Sequence, residues 1–130
     1  MLLRKEFTFD AAHNLVRYHG KCEHLHGHTY RIAVVLEGVP DDEGMILDFT
    51  VLSSIVKELV VSRLDHSYIN DTIPQPTAEN IAVWIWRQIE LPLTRQNCRL
   101  AEVHVWETAS SGVVLTAADL ALLKREGEGD

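Results

Sequence analysis

The order in which hydrophobic periodicity changes along the chain is the strongest constraint on its fold. Leu3, Lys5, Phe7 and Phe9 fall on one face of a strand from Leu2 to Asp10. At Ala11 the pattern switches into a polar segment rich in His and Gly. A second strand runs within His28 to Glu37 as Tyr30-Arg31-Ile32-Ala33-Val34-Val35-Leu36, and Gly38-Val39-Pro40-Asp41-Asp42-Glu43-Gly44 supplies its turn. Beyond a short extended piece from Met45 to Asp48 the period becomes helical. Phe49, Leu52, Ile55, Val56, Leu59 and Leu64 form the stripe, with Asp48 or Thr50 as N-cap. Pro74 and Pro76 isolate this helix from a second one that starts near Thr77, buries Ile81, Trp84, Ile85 and Ile89, and ends at Pro92. Alternation returns from Arg99 to Thr108 and from Ser111 to Leu115, two strands around a turn. Thr116 then caps a short C-terminal helix, and Glu126 to Asp130 reads as a frayed acidic tail.

Strand, strand, helix, helix, strand, strand predicts an α+β fold: a four-stranded antiparallel sheet with two helices between strands 2 and 3, packed on one face. Such an open sheet has two bare edges, which are either shielded or paired with another chain.

The chain has 130 residues, 46% of them hydrophobic, enough for one core and too few for two, so residues 1–130 are read as a single domain. Its longest apolar run, Ile55 to Val61, is broken by Lys57 and Glu58 and falls short of the roughly 20 residues of a membrane span. No apolar stretch of signal-peptide type follows the N-terminal Met, and the expectation is a cytoplasmic protein without a membrane partner. Cys22 and Cys98 form no C-x-x-C pair and are read as free thiols. A formal net charge of −7 argues against nucleic acid as a partner, which needs concentrated positive charge. A small phosphorylated ligand needs only a local basic group, and Arg17 and Lys21 lie near the histidines.

His26 and His28 flank Gly27, so on an extended backbone both imidazoles project from the same side. If the first two strands pair, His13 closes a third corner. Three neutral imidazoles suit Zn²⁺ and leave a fourth position open for water or substrate. Cys22, four residues before His26, has three readings: a small loop residue, a fourth ligand that would close the site, or a base or nucleophile beside the metal. Asp65-His66 reads either as a capping pair or as a carboxylate orienting an imidazole base. Glu107 shares a strand face with Val103 and Val105, where an unpaired carboxylate is costly unless it reaches an edge or binds something. His19, His24 and His104 are read as surface, loop or strand residues, the three Trp as core or interface packing, and Cys98 as a bystander.

Together, F-D-A-A-H ending at His13, C-E-H-L-H-G-H (Cys22 to His28), L-D-H-S-Y-I-N (Leu64 to Asn70), P-T-A-E-N (Pro76 to Asn80) and V-W-E-T (Val105 to Thr108) resemble the 6-pyruvoyltetrahydropterin synthase family, in order from about Leu2 to Leu115. The resemblance implies zinc on His13, His26 and His28, a proton-moving Cys22 supported by Asp65 and His66, and Glu107 as anchor of a pterin ring. It places Thr77 beside that ring and Lys21 near a triphosphate. It also implies the tunnelling fold, in which sheets of several subunits join into a barrel, as a trimer or a hexamer with active sites between subunits. The core is then 2–115 and the extension 116–130. Three residues separate Cys22 from H-G-H. That spacing resembles the branch acting as 6-carboxytetrahydropterin synthase in queuosine biosynthesis, which takes 7,8-dihydroneopterin triphosphate to 6-carboxytetrahydropterin, acetaldehyde and triphosphate. The alternative within the family is a lyase that stops at 6-pyruvoyltetrahydropterin; the alternative of another class is a non-enzymatic zinc module in which Cys22 joins the three histidines in a closed four-ligand site.

Overall fold

The protein is described from a computed structural model, which covers residues 1–19 and 24–129, with side chains as far as residue 124 at the C-terminal end. The predicted element order holds. Strands β1 (Leu2–His13), β2 (His26–Gly38), β3 (Cys98–Trp106) and β4 (Gly112–Thr116) form one antiparallel sheet in the order β1-β2-β3-β4. Between β2 and β3 lie α1 (Phe49–Val56), α2 (Ser62–Leu64) and α3 (Ala78–Leu93), and α4 (Ala117–Gly129) follows β4.

One face of the sheet carries the core. Phe7 and Phe9 of β1, Tyr30, Ile32, Val34 and Leu36 of β2, and Val103 and Val105 of β3 meet Ile81, Ile85, Ile89 and Leu93 of α3. Each fully buried aliphatic side chain stabilises by about 1.5–3 kcal/mol. Helix packing therefore outweighs the N-caps, worth about 1 kcal/mol each, that Asp48 supplies to α1 and Thr77 to α3. The opposite face is polar and carries its own lattice. Glu6 accepts from Arg4 at 2.6 Å and Arg31 at 3.1 Å, and the Arg31 guanidinium lies 4.2 Å from the centre of the Trp106 ring. That ring covers Gly112 so closely that a Cβ there would come within 2.3 Å of it.

Several local expectations are corrected. Met45 to Asp48 is irregular rather than extended. The first helix is interrupted by a π-helical turn, Lys57–Val61, and its inward row is Leu52, Val56, Val60 and Leu64, while Phe49 is 54% exposed. A four-residue repeat advances about 40° per step on a regular α-helix. The wider turn winds the row back toward the sheet. Pro92 does not stop α3 but lies in its last turn, one residue before the helix ends at Leu93. The segment read as a frayed tail continues α4 as far as Gly129; at its start Thr116 Oγ1 accepts from the Asp119 N–H, as expected of a cap. Of the three Trp residues, Trp86 is buried in the core, while Trp106 packs on the polar face beneath Arg31.

Candidate metal centre and active site

Strand pairing builds the histidine cluster. β1 and β2 align His13 with His26 and Ala11 with His28, so three imidazoles emerge from the core face at one end of the sheet. Their ring centres lie 4.7–4.9 Å apart, each pair edge to face. One nitrogen from each ring falls within 4.8 Å of the other two. The burial ranges from His13, 2% exposed, to the half-buried His26 and His28.

The surroundings fix which nitrogens carry hydrogen. His13 Nδ1 is 3.1 Å from the Pro76 carbonyl oxygen, and His26 Nδ1 is 2.9 Å from that of His24. A carbonyl only accepts, so in both neutral rings the hydrogen resides on Nδ1 and the lone pair on Nε2. Those two Nε2 atoms are 3.0 Å apart. Two lone pairs at that separation repel unless a cation or a proton lies between them, and the donor set of three imidazoles fits a metal ion.

Glu107, one residue beyond β3, extends the inward row of Val103 and Val105; its Oε1 is 3.8 Å from His13 Nε2. Its backbone N–H donates to Ser111 O at 3.1 Å, tightening the turn into β4. Glu107, Thr77, Ala78, Glu79, Leu15 and Ser111 line an open cleft of about 300 Å³. The structure therefore brings Glu107 and Thr77 to one hollow beside the histidines. Thr77 has a prior duty there, since its Oγ1 caps α3 by accepting from the Asn80 N–H at 3.1 Å. Larger hollows, of about 520 Å³ near Met1 and Arg95 and about 600 Å³ against α4, contain neither the three histidines nor Glu107 or Thr77.

Asp65 and His66 sit apart from this cluster. Asp65 Oδ1 accepts from the Asp10 N–H at 3.0 Å, and the His66 N–H donates to Asp10 O at 2.6 Å, so the pair is docked on the free edge of β1. Asp10 lies three residues before His13 and thus points to the other face of the strand. The His66 backbone is left-handed, φ 56°, and its Nδ1 is 3.0 Å from Asp65 Oδ2. This leaves the far side of the imidazole, with a side chain 78% exposed, directed outward. Within one chain the histidines and the dyad are separate groups. Cys22 and Lys21 lie outside the described residues.

Several positioning residues were not singled out from sequence. Asn70 brackets the Asn14 backbone, accepting from its N–H at 3.0 Å and donating to its carbonyl at 2.7 Å. Gln75 accepts from the Val16 and Arg17 N–H groups at 2.8 and 3.1 Å and donates to Arg17 O at 3.0 Å. These two carboxamides replace a strand partner for the segment after His13. Asn70 closes the L-D-H-S-Y-I-N motif, the one sequence signal that it had a task; Asp10 and Tyr30 likewise stood inside or beside quoted motifs.

Residues 2–118 match the family described as 6-pyruvoyl tetrahydropterin synthase. A 6-carboxy-5,6,7,8-tetrahydropterin synthase from Synechocystis is 42% identical over 96 residues, covering 68% of this chain and 74% of that one. A 6-pyruvoyl tetrahydrobiopterin synthase from Dictyostelium discoideum is 32% identical over 130 residues, covering 88% and 94%. The structure of Caenorhabditis elegans 6-pyruvoyl tetrahydropterin synthase superposes with a TM-score of 0.77 at 24% identity, covering 90% of this chain and 95% of that one, which supports the tunnelling fold. The chain belongs to the 6-pyruvoyl tetrahydropterin synthase family. It is an enzyme of the lyase type found there, similar to the 6-carboxytetrahydropterin synthases.

The dyad's docking has a measurable consequence. The Asp10 N–H, and after it the His66 ring, hold the Asp65 carboxyl below its ordinary value of 3.8. A carboxyl with a depressed folded-state value contributes stability that is complete above the ordinary value and is lost as pH falls through the folded one. Asp65→Asn should therefore be less stable than the parent at neutral pH, and the gap should close in acid below pH 3.8. Urea unfolding across that range checks this; a gap that persists unchanged in acid would show that Asp65 is held by something other than its charge.

Proposed function

We propose that this chain is a zinc-dependent lyase that converts 7,8-dihydroneopterin triphosphate and water to 6-carboxy-5,6,7,8-tetrahydropterin, acetaldehyde and triphosphate, in queuosine (preQ0) biosynthesis. The observation that carries this reading is the convergence of His13, His26 and His28, with His13 beside the Glu107 carboxylate that itself lines the cleft. Similarity to a 6-carboxytetrahydropterin synthase and the three-residue spacer between Cys22 and His26 favour this product.

Zinc on one ring nitrogen each of His13, His26 and His28 would supply Lewis acidity to hydroxyl or carbonyl oxygens of the substrate side chain. Glu107, an acceptor-only group when ionised, takes paired hydrogen bonds from the 2-amino and ring N–H of the pterin. Thr77 borders the ring, and Lys21 counters the triphosphate charge. Cys22 moves protons on the side chain, and His66, oriented through Nδ1 by Asp65, relays them from its outward nitrogen. Since the dyad and the histidines occupy different regions of one chain, the complete site joins the Cys22 and zinc side of one subunit to the Asp65-His66 side of the next. Pairing of the open edges of β1 and β4 in a trimeric or hexameric ring accomplishes that. The protein works in the cytoplasm as a single domain per chain.

The second reading, favoured by the Dictyostelium relative, is elimination of triphosphate alone, giving 6-pyruvoyltetrahydropterin. Mass spectrometry of the products from 7,8-dihydroneopterin triphosphate separates the two. The 6-carboxy product with stoichiometric acetaldehyde is expected; a 6-pyruvoyl product without acetaldehyde would replace the first reading by the second.

The shared site is tested by co-refolding Cys22→Ala with His66→Ala. At a join where a Cys22-intact chain meets a His66-intact chain one whole site forms, so random mixing should restore roughly a quarter of parental activity. Mixed assemblies that form, by native mass spectrometry, yet remain as inactive as either variant would place cysteine and dyad in the same chain.

A further inference from the structure

We propose that Tyr30 is a positioning residue for His13, its phenol oxygen helping to hold the ring so that Nδ1 keeps the hydrogen and Nε2 faces the metal position. This rests on the metal reading above. His26, His28 and Tyr30 occupy alternate positions of β2 and so form one row on the core face. Tyr30 is fully buried, stacked on Phe9 at 5.2 Å, with the His13 and His28 rings edge-on at 5.9 and 5.6 Å. A phenylalanine would fill almost the same space without burying a hydroxyl, whose desolvation is unfavourable unless it has a polar partner. The Tyr30 oxygen lies 2.9 Å from His13 Nδ1.

That nitrogen has a second neighbour, the Pro76 carbonyl at 3.1 Å. Two oxygens flank one N–H. The carbonyl disfavours the tautomer with its lone pair on Nδ1 as long as the ring stays seated against it, because two lone pairs would then face each other. A single acceptor lets the ring rock about the bond to its Cβ; a second acceptor on another element restricts that motion. Pro76 is itself fixed from α3, since the preceding Gln75 carbonyl accepts from the Thr77 N–H at 2.9 Å and from Asn80 Nδ2 at 2.8 Å. The ligand is thus gripped between β2 and the start of α3, and Thr77, next to Pro76, lines the substrate cleft. Metal and cleft therefore share one support.

The test uses the full chain and Tyr30→Phe, both stripped and then titrated with Zn²⁺ against a chelator of known affinity. Loss of such an outer partner typically weakens metal binding by about 10- to 100-fold, and that range is expected with the metal-free melting temperature unchanged or raised. Long-range ¹⁵N–¹H correlation spectra of the metal-free proteins should place the His13 hydrogen on Nδ1 in the parent and show a growing Nε2–H fraction in the variant. If the parent binds zinc and the variant binds it within twofold, the role of Tyr30 is overturned while the metal reading stands. If the parent binds no zinc, the metal reading fails and takes this one with it. Should Tyr30→Phe not fold, the parent spectrum decides alone, and a hydrogen on His13 Nε2 overturns the proposal.

Discussion

Two ring nitrogens, His13 Nε2 and His26 Nε2, stand 3.0 Å apart with carbonyl oxygens behind both rings. Everything else near that end of the sheet follows from holding them there. The antiparallel register of β1 on β2 sets the two residues opposite each other, and alternation along β2 adds His28 and then Tyr30 to the same row. Slipping that register by one residue would turn the whole row to the other face, where Arg31 and Glu6 already form a polar lattice. The core and the histidine cluster are thus specified by the same pairing. Burial of Phe7, Phe9, Ile32 and Val34 stabilises the register that assembles the donors.

The approach to the cluster is organised differently. After His13 the chain leaves the sheet, and side-chain amides of Asn70 and Gln75 take over the hydrogen bonds a neighbouring strand would have made. Both belong to the connection between α2 and α3, which also presents Asp65 and His66 to the edge of β1. One connecting segment therefore steadies the stretch from Asn14 to Arg17, carries the dyad and delivers the Pro76 carbonyl to His13. The strain of a left-handed His66 is borne where its N–H reaches Asp10 and its ring reaches Asp65. Docked this way the His66 ring faces outward, with Nδ1 on the Asp65 carboxylate.

Much of this was legible in the residues because the signals are local. Period-two runs gave the strands, and Asp48 and Thr77 announced the helices they cap. The H-G-H triplet implied two imidazoles on one side of a strand, and the inward parity of Val103 and Val105 pointed to Glu107. Less local features were not legible. The π turn at Lys57–Val61 leaves hydrophobic spacing nearly intact, so only the exact four-residue row through Val60 hints at it. Phe49 fits the stripe yet ends outside, in the first turn of α1, where it borders a surface hollow beside Lys5 of β1. Tyr30 looked like any aromatic of a buried strand, since the Pro76 carbonyl that gives its hydroxyl a context lies far along the chain. The assignment of Cys22 came from resemblance to a family rather than from any physical necessity in its surroundings.

The central claim is an open metal centre of three imidazole nitrogens, with the cysteine kept for proton transfer. X-ray absorption spectroscopy of the zinc-loaded protein tests it directly, because sulfur and nitrogen ligands differ in distance by more than the method's error. Three histidine nitrogens at about 2.0–2.1 Å with an oxygen ligand from water, and no sulfur, are expected. A sulfur shell at about 2.3 Å would contradict it, converting the site into a closed structural one in which Cys22 is a ligand.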